Sequence, residues 1–464
     1  MAKNTLDTIN SAMNAHYEKL QKELNDFKNH FRNTQTKTIF GKVIAAIGTT
    51  IRASVPNPKI GDMCQLIDKA NNLQLTAEII AINNDEAILL PFGSIDNISK
   101  NALIIKSATH FKIQVGDFLI GKVVDGLGKI IDNLIANDSP EDEEKQASFS
   151  YQIVKSAPDP LKRPLVNEKL LTGITAIDMF LTCGKGQRLA IFAGPGIGKT
   201  VLIGMIIRNT EADVIVIALV GERGREVREF IDLELNESMR KKCVLVYATS
   251  DKPPVEQIKC AYTAHTIAEY FRDQGKNVII FVDSITRFAR AQREIGISAG
   301  EPIARGGYPP SVFQSFPKLL ERAGNNEHGS ITAFYTVLME GENTQNDPIA
   351  DEIRSIVDGH IILSKKLAHQ GLFPAINILS SLSRIADRLI DEEHIKAARK
   401  VRLLLSKYEE LEFLIRIGEY QKGLDSLADE AILKNYIILK FLQQGIHEKS
   451  SFDIQLKQLF KLSK

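Results

Sequence analysis

Residues 193–200 read AGPGIGKT and constrain this chain more than any other segment, because three glycines and a proline in five positions can form only a tight loop. The loop joins a strand candidate at 188–192 to a helical pattern at 201–208. Strand, glycine-rich loop and helix in that order aim backbone N–H groups at the helix N-terminus, where an anion is stabilised. The segment departs from the strict phosphate-binding pattern only at Ala193, which replaces the first glycine. Gly194, Pro195, Gly196, Ile197, Gly198, Lys199, Thr200 and Val201 are therefore candidate nucleotide-binding residues. Lys199 would neutralise the β and γ phosphates, and the Thr200 hydroxyl would ligate Mg²⁺. A glycine-rich turn that merely ends a strand is the bland alternative; strand, loop and helix in order and a matching acid downstream weigh against it.

That acid is Asp283, at the end of the apolar run 278–282. A parallel strand there delivers its carboxylate to the same sheet edge as the loop, where it can hold a metal-bound water rather than serve as an ordinary helix cap. Between the two motifs, GERGREVREF (221–230) directly follows the apolar run 213–220, so Glu222 also sits at the carboxyl edge. Hydrolysis needs a carboxylate that orients and polarises water, and Arg223 beside it could hold phosphate oxygens. By spacing alone, a charged, solvated helix start reads equally well.

The surrounding texture alternates strand candidates at 187–193, 213–220, 243–249, 277–283, 330–338 and 359–364 with helical patterns, which implies a twisted parallel α/β sheet. Before it, 38–106 is short and β-rich, with Asn83, Asn84 and Asp85 marking a turn, and reads as a small barrel. DGLGK at 125–129 and the polar stretch 137–148 read as a solvated connection. After about 380 helical patterns run to the end, as at 395–417 and 431–443. The expected domains are an N-terminal helix (1–37), a β-barrel (38–106), an ATPase core (107–380) and a helical domain (381–464), within what a chain of 464 residues can hold.

The N-terminal helix places Leu6, Ile9, Met13, Tyr17, Leu20, Leu24, Phe27 and Phe31 at steps of three and four. Such a stripe is marginal alone in water and needs a surface to pack on. With 58 Lys and Arg against 57 Asp and Glu, the formal charge of +1 gives no global field for nucleic acid or anionic membrane. Cys64, Cys183, Cys243 and Cys260 lack metal-ligand spacing and read as reduced, buried thiols. No apolar run approaches the ~18 residues of a membrane span, so a cytoplasmic protein is expected.

Taken with these motifs, the segments ALVGERGREVREFI, FVDSITRFARAQREI, GYPPSVF, LLERAG, GSITAFYTVL and DPIADEIRSIVDGHIILSKKLA resemble the family that contains the rotary ATP synthase subunits and the export ATPases of type III secretion, flagellar and injectisome alike. They look closer to the export ATPases than to either synthase subunit. The resemblance covers nearly the whole chain and implies a RecA-like P-loop core between a β-barrel and a helical domain, assembled as a homohexamer that hydrolyses ATP with Mg²⁺. It makes Glu222 the catalytic carboxylate, with Arg223 beside the phosphate, and makes Arg384 in SSLSR the arginine that reaches a neighbouring subunit's γ phosphate rather than an ordinary surface ion pair. Phe373 in GLFPAINIL stands where the family usually carries a tyrosine packed on the adenine; it keeps the π face and loses the hydroxyl, whereas without the family it would read as a core aromatic.

The implied partners are a stator-like regulator dimer on the N-terminal helix, a central stalk protein, the export gate and chaperone–substrate complexes, at the inner face of the bacterial inner membrane. Two departures from the family pattern touch loops near the ring interior: Arg305-Gly306-Gly307-Tyr308 carries Gly where Arg usually precedes Gly-Tyr, and 342–346 is longer than usual. DEIRSIVDGHI and LSSLSR look closer to injectisome than to flagellar members. A hexameric nucleic-acid motor would need stacking aromatics in its barrel, and 38–106 offers only Phe40 and Phe92. Lys199, Glu222 and Arg384 on one chain argue for identical catalysing subunits, against a synthase subunit or a nucleotide-binding scaffold without turnover.

Overall fold

The computed structural model describes residues 19–25, 28, 40–84, 86–107, 109–135, 147–339 and 347–464. Most of the apolar stripe 6–31, most of 137–148 and all of 342–346 lie outside these residues. Residues 19–25 are helical, with Leu20 and Leu24 half exposed.

Six strands close a barrel in the order Gly41–Ile47, Thr50–Ser54, Glu86–Pro91, Leu73–Asn83, Met63–Asp68, Leu103–Ser107. Period-2 alternation turns Ile51, Ala53, Cys64, Leu66, Ala77, Ile79, Ala87 and Leu89 into its interior. Closure leaves no free strand edge.

The second body is a ten-stranded sheet. Its parallel strands run in the spatial order Gly359–Ile362, Arg188–Ala193, Ser330–Leu338, Asn277–Asp283, Val214–Glu222, Cys243–Thr249, Lys122–Asp125. These strands read as unbroken apolar runs because helices cover both faces. Val214, Val216, Ala218 and Val220 point into one core, under the helix Pro254–Asp273. Ile215, Ile217 and Leu219 point into the other, shared with the helix Lys199–Asn209. The C-terminal helices Glu392–Arg416, Ser426–Leu442 and Phe452–Ser463 join this second core through Ala397, Val401, Leu404, Ile438 and Leu459.

The expected solvated connection at DGLGK is corrected. It is the turn between Lys122–Asp125 and Ile130–Asn133, a hairpin that extends the central sheet. Asp125 Oδ1 accepts the N–H groups of Leu127 and Lys129, and Gly126 O accepts the Thr263 hydroxyl at 2.8 Å. Strands of four residues carry too little apolar pattern to stand out in sequence.

Arg322, in LLERAG, is wholly buried in an ion pair with Glu269, at 2.7 Å and 2.8 Å through both carboxylate oxygens. It also donates to Ile153 O and the Thr266 hydroxyl, tying the segment around Ile153 to the helix Pro254–Asp273. Removing one member of such a pair strands a buried charge at a cost of roughly 3–5 kcal/mol. The four cysteines are free and buried, and burial pushes the Cys64 thiol up to about 11 and the Cys243 thiol to about 12.

Candidate active site

Two glycines make the phosphate loop possible. Gly196 and Gly198 take φ of 73° and 92°, left-handed conformations that side chains resist. Gly198 then caps the helix Lys199–Asn209 without any side-chain cap, so the first N–H groups of that helix are free for an anion. Thr200 is exposed on the first turn and Val201 half buried behind it.

Parallel register brings the acids to this loop. Asp283 ends its strand opposite Leu219 of the strand Val214–Glu222. One residue beyond Val220, Gly221 adopts φ of 66° and shifts the register, which turns Glu222 inward. A Cβ at 221 would lie 2.8 Å from Gln257 Oε1 and 3.2 Å from the Arg287 side chain, so only glycine fits.

The result is a compact charged cluster. Lys199 Nζ pairs with Asp283 Oδ1 and stands 3.8 Å from Glu222 Oε1. Arg287, on the first turn of the helix Ile285–Ser298, reaches Glu222 Oε2 at 3.1 Å and donates to Gly221 O. The Thr336 hydroxyl donates to Asp283 Oδ1 at 2.7 Å. Glu222 and Asp283 are each only 5% exposed, and Glu222 Oε1 is buried without a hydrogen-bond partner. Burial, a hydrogen bond shared with Glu226 and the nearby Asp283 charge push the Glu222 carboxyl up to about 8, against the pull of Lys199 and Arg287. Glu226, through the same hydrogen bond, is held below the usual range.

Arg223 is exposed and paired with Glu226 at 3.6 Å, one step outside the cluster. Sequence pattern alone does not single out Arg287 or Thr336. The available signals are an arginine four residues after Asp283 and a hydroxyl interrupting the apolar strand Ser330–Leu338.

Thr200 and Asp283 offer hard oxygen donors. Among the described residues, no group of three or more His, Cys, Asp or Glu could hold a metal through protein ligands alone. That sparse oxygen set fits Mg²⁺, which commonly takes one or two protein oxygens and completes its shell with water and phosphate.

Beside the loop, a cleft of about 690 Å³ is lined by Ile197, Val201, Phe373, Pro374, Lys440 and Ile446, among others. Phe373 is 43% exposed, so it is not a core aromatic; its ring edge would lie 3.8 Å from a side chain at Gly198.

Arg384 is elsewhere. Its strand Leu382–Ser383 runs antiparallel to Gly359–Ile362, with Ser383 opposite Gly359, and Gly359 is opposite Leu189. Arg384 N donates to Asp358 O, whose own N–H donates to Arg188 O. Arg384 therefore lies at the amino end of the strand whose carboxyl end carries the loop, roughly 16 Å below Ala193 at 3.3 Å per residue. Its guanidinium is exposed and donates to Arg354 O at 3.2 Å. The Arg305–Gly307 turn is held through Arg305, paired with Asp351 at 3.1 Å.

Residues 173–383 match the family model for the ATP synthase alpha/beta family, nucleotide-binding domain, and residues 390–461 match that for the T3SS EscN ATPase C-terminal domain. A type 3 secretion system ATPase of Xanthomonas euvesicatoria is 45% identical over 422 residues, 90% of this chain and 93% of the relative. A flagellum-specific ATP synthase of Bacillus subtilis (strain 168) is 45% identical over 427 residues, 91% of this chain and 95% of the relative. The solved structure of the assembled ATPase EscN from the enteropathogenic E. coli type III secretion system superposes with a TM-score of 0.85 at 47% identity, covering 91% of this chain and 100% of that one. EscN in complex with its central stalk EscO gives 0.81 at 46% identity, with the same coverage. Among the described residues no helix is long and apolar enough to cross a membrane. With relatives this similar over nine-tenths of its length, the chain belongs to the type III secretion ATPases of the ATP synthase alpha/beta family.

Proposed function

We propose that this ATPase works as a homohexameric ring that hydrolyses ATP at its subunit interfaces, releasing chaperones from export substrates and unfolding them for secretion. The observation that carries the interface reading is the position of Arg384. It shares a chain with Lys199, Glu222 and Asp283 but occupies the opposite sheet edge, too far to serve its own loop.

In this reading the loop from Gly194 to Val201 cradles the phosphates and Lys199 moves from Asp283 to their charge. Thr200 and Asp283 would hold Mg²⁺, which when bound would supply positive charge against the phosphates. Glu222, whose buried Oε1 makes no hydrogen bond and is free to take one from a water, accepts the proton as that water is aligned on the γ phosphate. Arg287 fixes the Glu222 carboxylate, Arg223 approaches the phosphate from the rim and Phe373 stacks on the adenine. A neighbour's Arg384 completes the site by stabilising charge on the transferring phosphoryl group.

The apolar stripe expected over 6–31 suits an elongated regulator dimer. The structure of EscN with its central stalk supports a stalk protein in the ring here, with the export gate beyond it at the inner face of the membrane. Identity to injectisome and flagellar relatives is equal at 45%. The injectisome reading rests on DEIRSIVDGHI and LSSLSR, and adjacent needle and secretin genes support it where rod and hook genes overturn it.

Mixing tests the shared site. Arg384→Ala and Lys199→Ala proteins, each inactive alone, should regain a fraction of wild-type turnover when combined, because some interfaces join an intact loop to an intact arginine. Wild-type activity per chain should also climb with concentration through the assembly transition. Flat specific activity and no recovery on mixing would show that Arg384 does not act across a boundary.

A further inference from the structure

The cleft beside the loop has walls from two parts of the chain. One carries Phe373 and Pro374; the other is the end of the C-terminal domain's second helix and the turn after it, with Lys440, Gln443, Gly445 and Ile446. Gln444 sits in the middle of this second wall but is only 4% exposed.

A primary amide offers two donors and two acceptor positions, and here all four are taken. Gln444 Oε1 accepts from Thr175 N at 3.1 Å and Thr175 Oγ1 at 3.4 Å. Its Nε2 donates to Gly173 O at 2.7 Å and to Glu448 O at 3.0 Å. Its backbone N–H donates to Phe373 O at 2.9 Å. Thr175 is also held by Gln455 Nε2 of the last helix at 3.0 Å. The saturated side chain has nothing left with which to read a base. What it does instead is tie the start of the nucleotide-binding core to the turn after the second C-terminal helix, while the backbone N–H of the same residue holds the Phe373 loop.

We propose that Gln444 is a positioning residue that seats the turn after the second C-terminal helix against the base cleft, so that the placement of this wall sets affinity for the base. The proposal rests on the cleft being the base site.

The test compares ATP with tripolyphosphate, which has the phosphates but no base, by calorimetry on the full-length protein with Mg²⁺. In Gln444→Met the Kd for ATP should rise about fivefold to tenfold, the loss expected from a misplaced stacking wall, with the Kd for tripolyphosphate within about twofold of wild type. Thr175→Val, which removes one hydroxyl and keeps the N–H donor, should shift ATP alone by a smaller factor, and it serves if Gln444→Met does not fold. Arg402→Met loosens a different anchor of the same domain, to Ile378 O and Phe180 O, and should lower the thermal midpoint without changing the ratio of the two affinities. Equal weakening of both ligands, unchanged ATP binding, or an Arg402→Met effect as large as that of Gln444→Met would each overturn the role of Gln444. A wild type that binds ATP no tighter than tripolyphosphate would overturn the base-site reading beneath it.

Discussion

Lys199→Ala is expected to reduce ATP turnover to background, a loss of at least about 10²–10³ in kcat. That is the scale for removing one preorganised group from developing charge, in a reaction whose catalysis is mostly positioning and electrostatics. The geometry argues for the upper end. Lys199 is the cation on Asp283, and Glu222 lies within 4 Å of it, so alanine also leaves the buried Asp283 without its cation, while Glu222 keeps Arg287. Phosphate release in single-turnover mixing, with circular dichroism to establish the fold, measures this. A folded variant with near-normal hydrolysis would remove the phosphate-loop assignment.

Glu222→Gln should separate binding from chemistry. The amide keeps the shape, so ATP binding survives, while turnover falls by about 10²–10⁴ for want of a proton acceptor. The raised pKa adds a signature in the nucleotide-free protein. A carboxyl protonated up to about 8 when folded, and in the ordinary range when unfolded, makes the unfolded state bind fewer protons between those limits. Wild-type stability should therefore fall as pH rises from the ordinary carboxylate range to about 8 and level off beyond it. The glutamine variant lacks that slope, so its thermal midpoint should gain on wild type with increasing pH and show least advantage near pH 5. Wild-type kcat/KM should rise over the same interval, since only the ionised carboxylate accepts a proton. Parallel melting curves at every pH, or loss of ATP binding along with the fold, would make Glu222 a structural residue.

Much of this site was legible because it depends on local chemistry. A glycine-rich loop between strand and helix announces itself, and a carboxylate after an apolar run at a parallel sheet's edge has few other places to point. The six main strands were readable because strands buried on both faces are continuous apolar runs. What escaped depends on long-range packing. Thr336 matters only because Ser330–Leu338 lies between the loop strand and the Asp283 strand, an order that no local pattern encodes. Arg287 is one cation in an arginine-rich helix, chosen by the glycine turn at 221 that opens space for it. Gln444 looks like any polar residue after a helix until the fold brings Gly173 and Thr175 to it. The family resemblance supplied a role for Arg384, but only the register shows that it cannot act on its own loop.

Carrying the loop and Arg384 on opposite edges of one sheet has a genetic consequence. If copies join head to tail as proposed, each would be host at one border and guest at the next, and such heterologous contacts close into a ring or run on as a filament. A copy defective in both roles spoils two neighbouring sites rather than one. Inheritance of such a defect would be dominant in proportion to more than its dose: an allele that merely fails to express leaves the surviving rings whole, whereas one that folds, joins and cannot catalyse poisons the company it keeps.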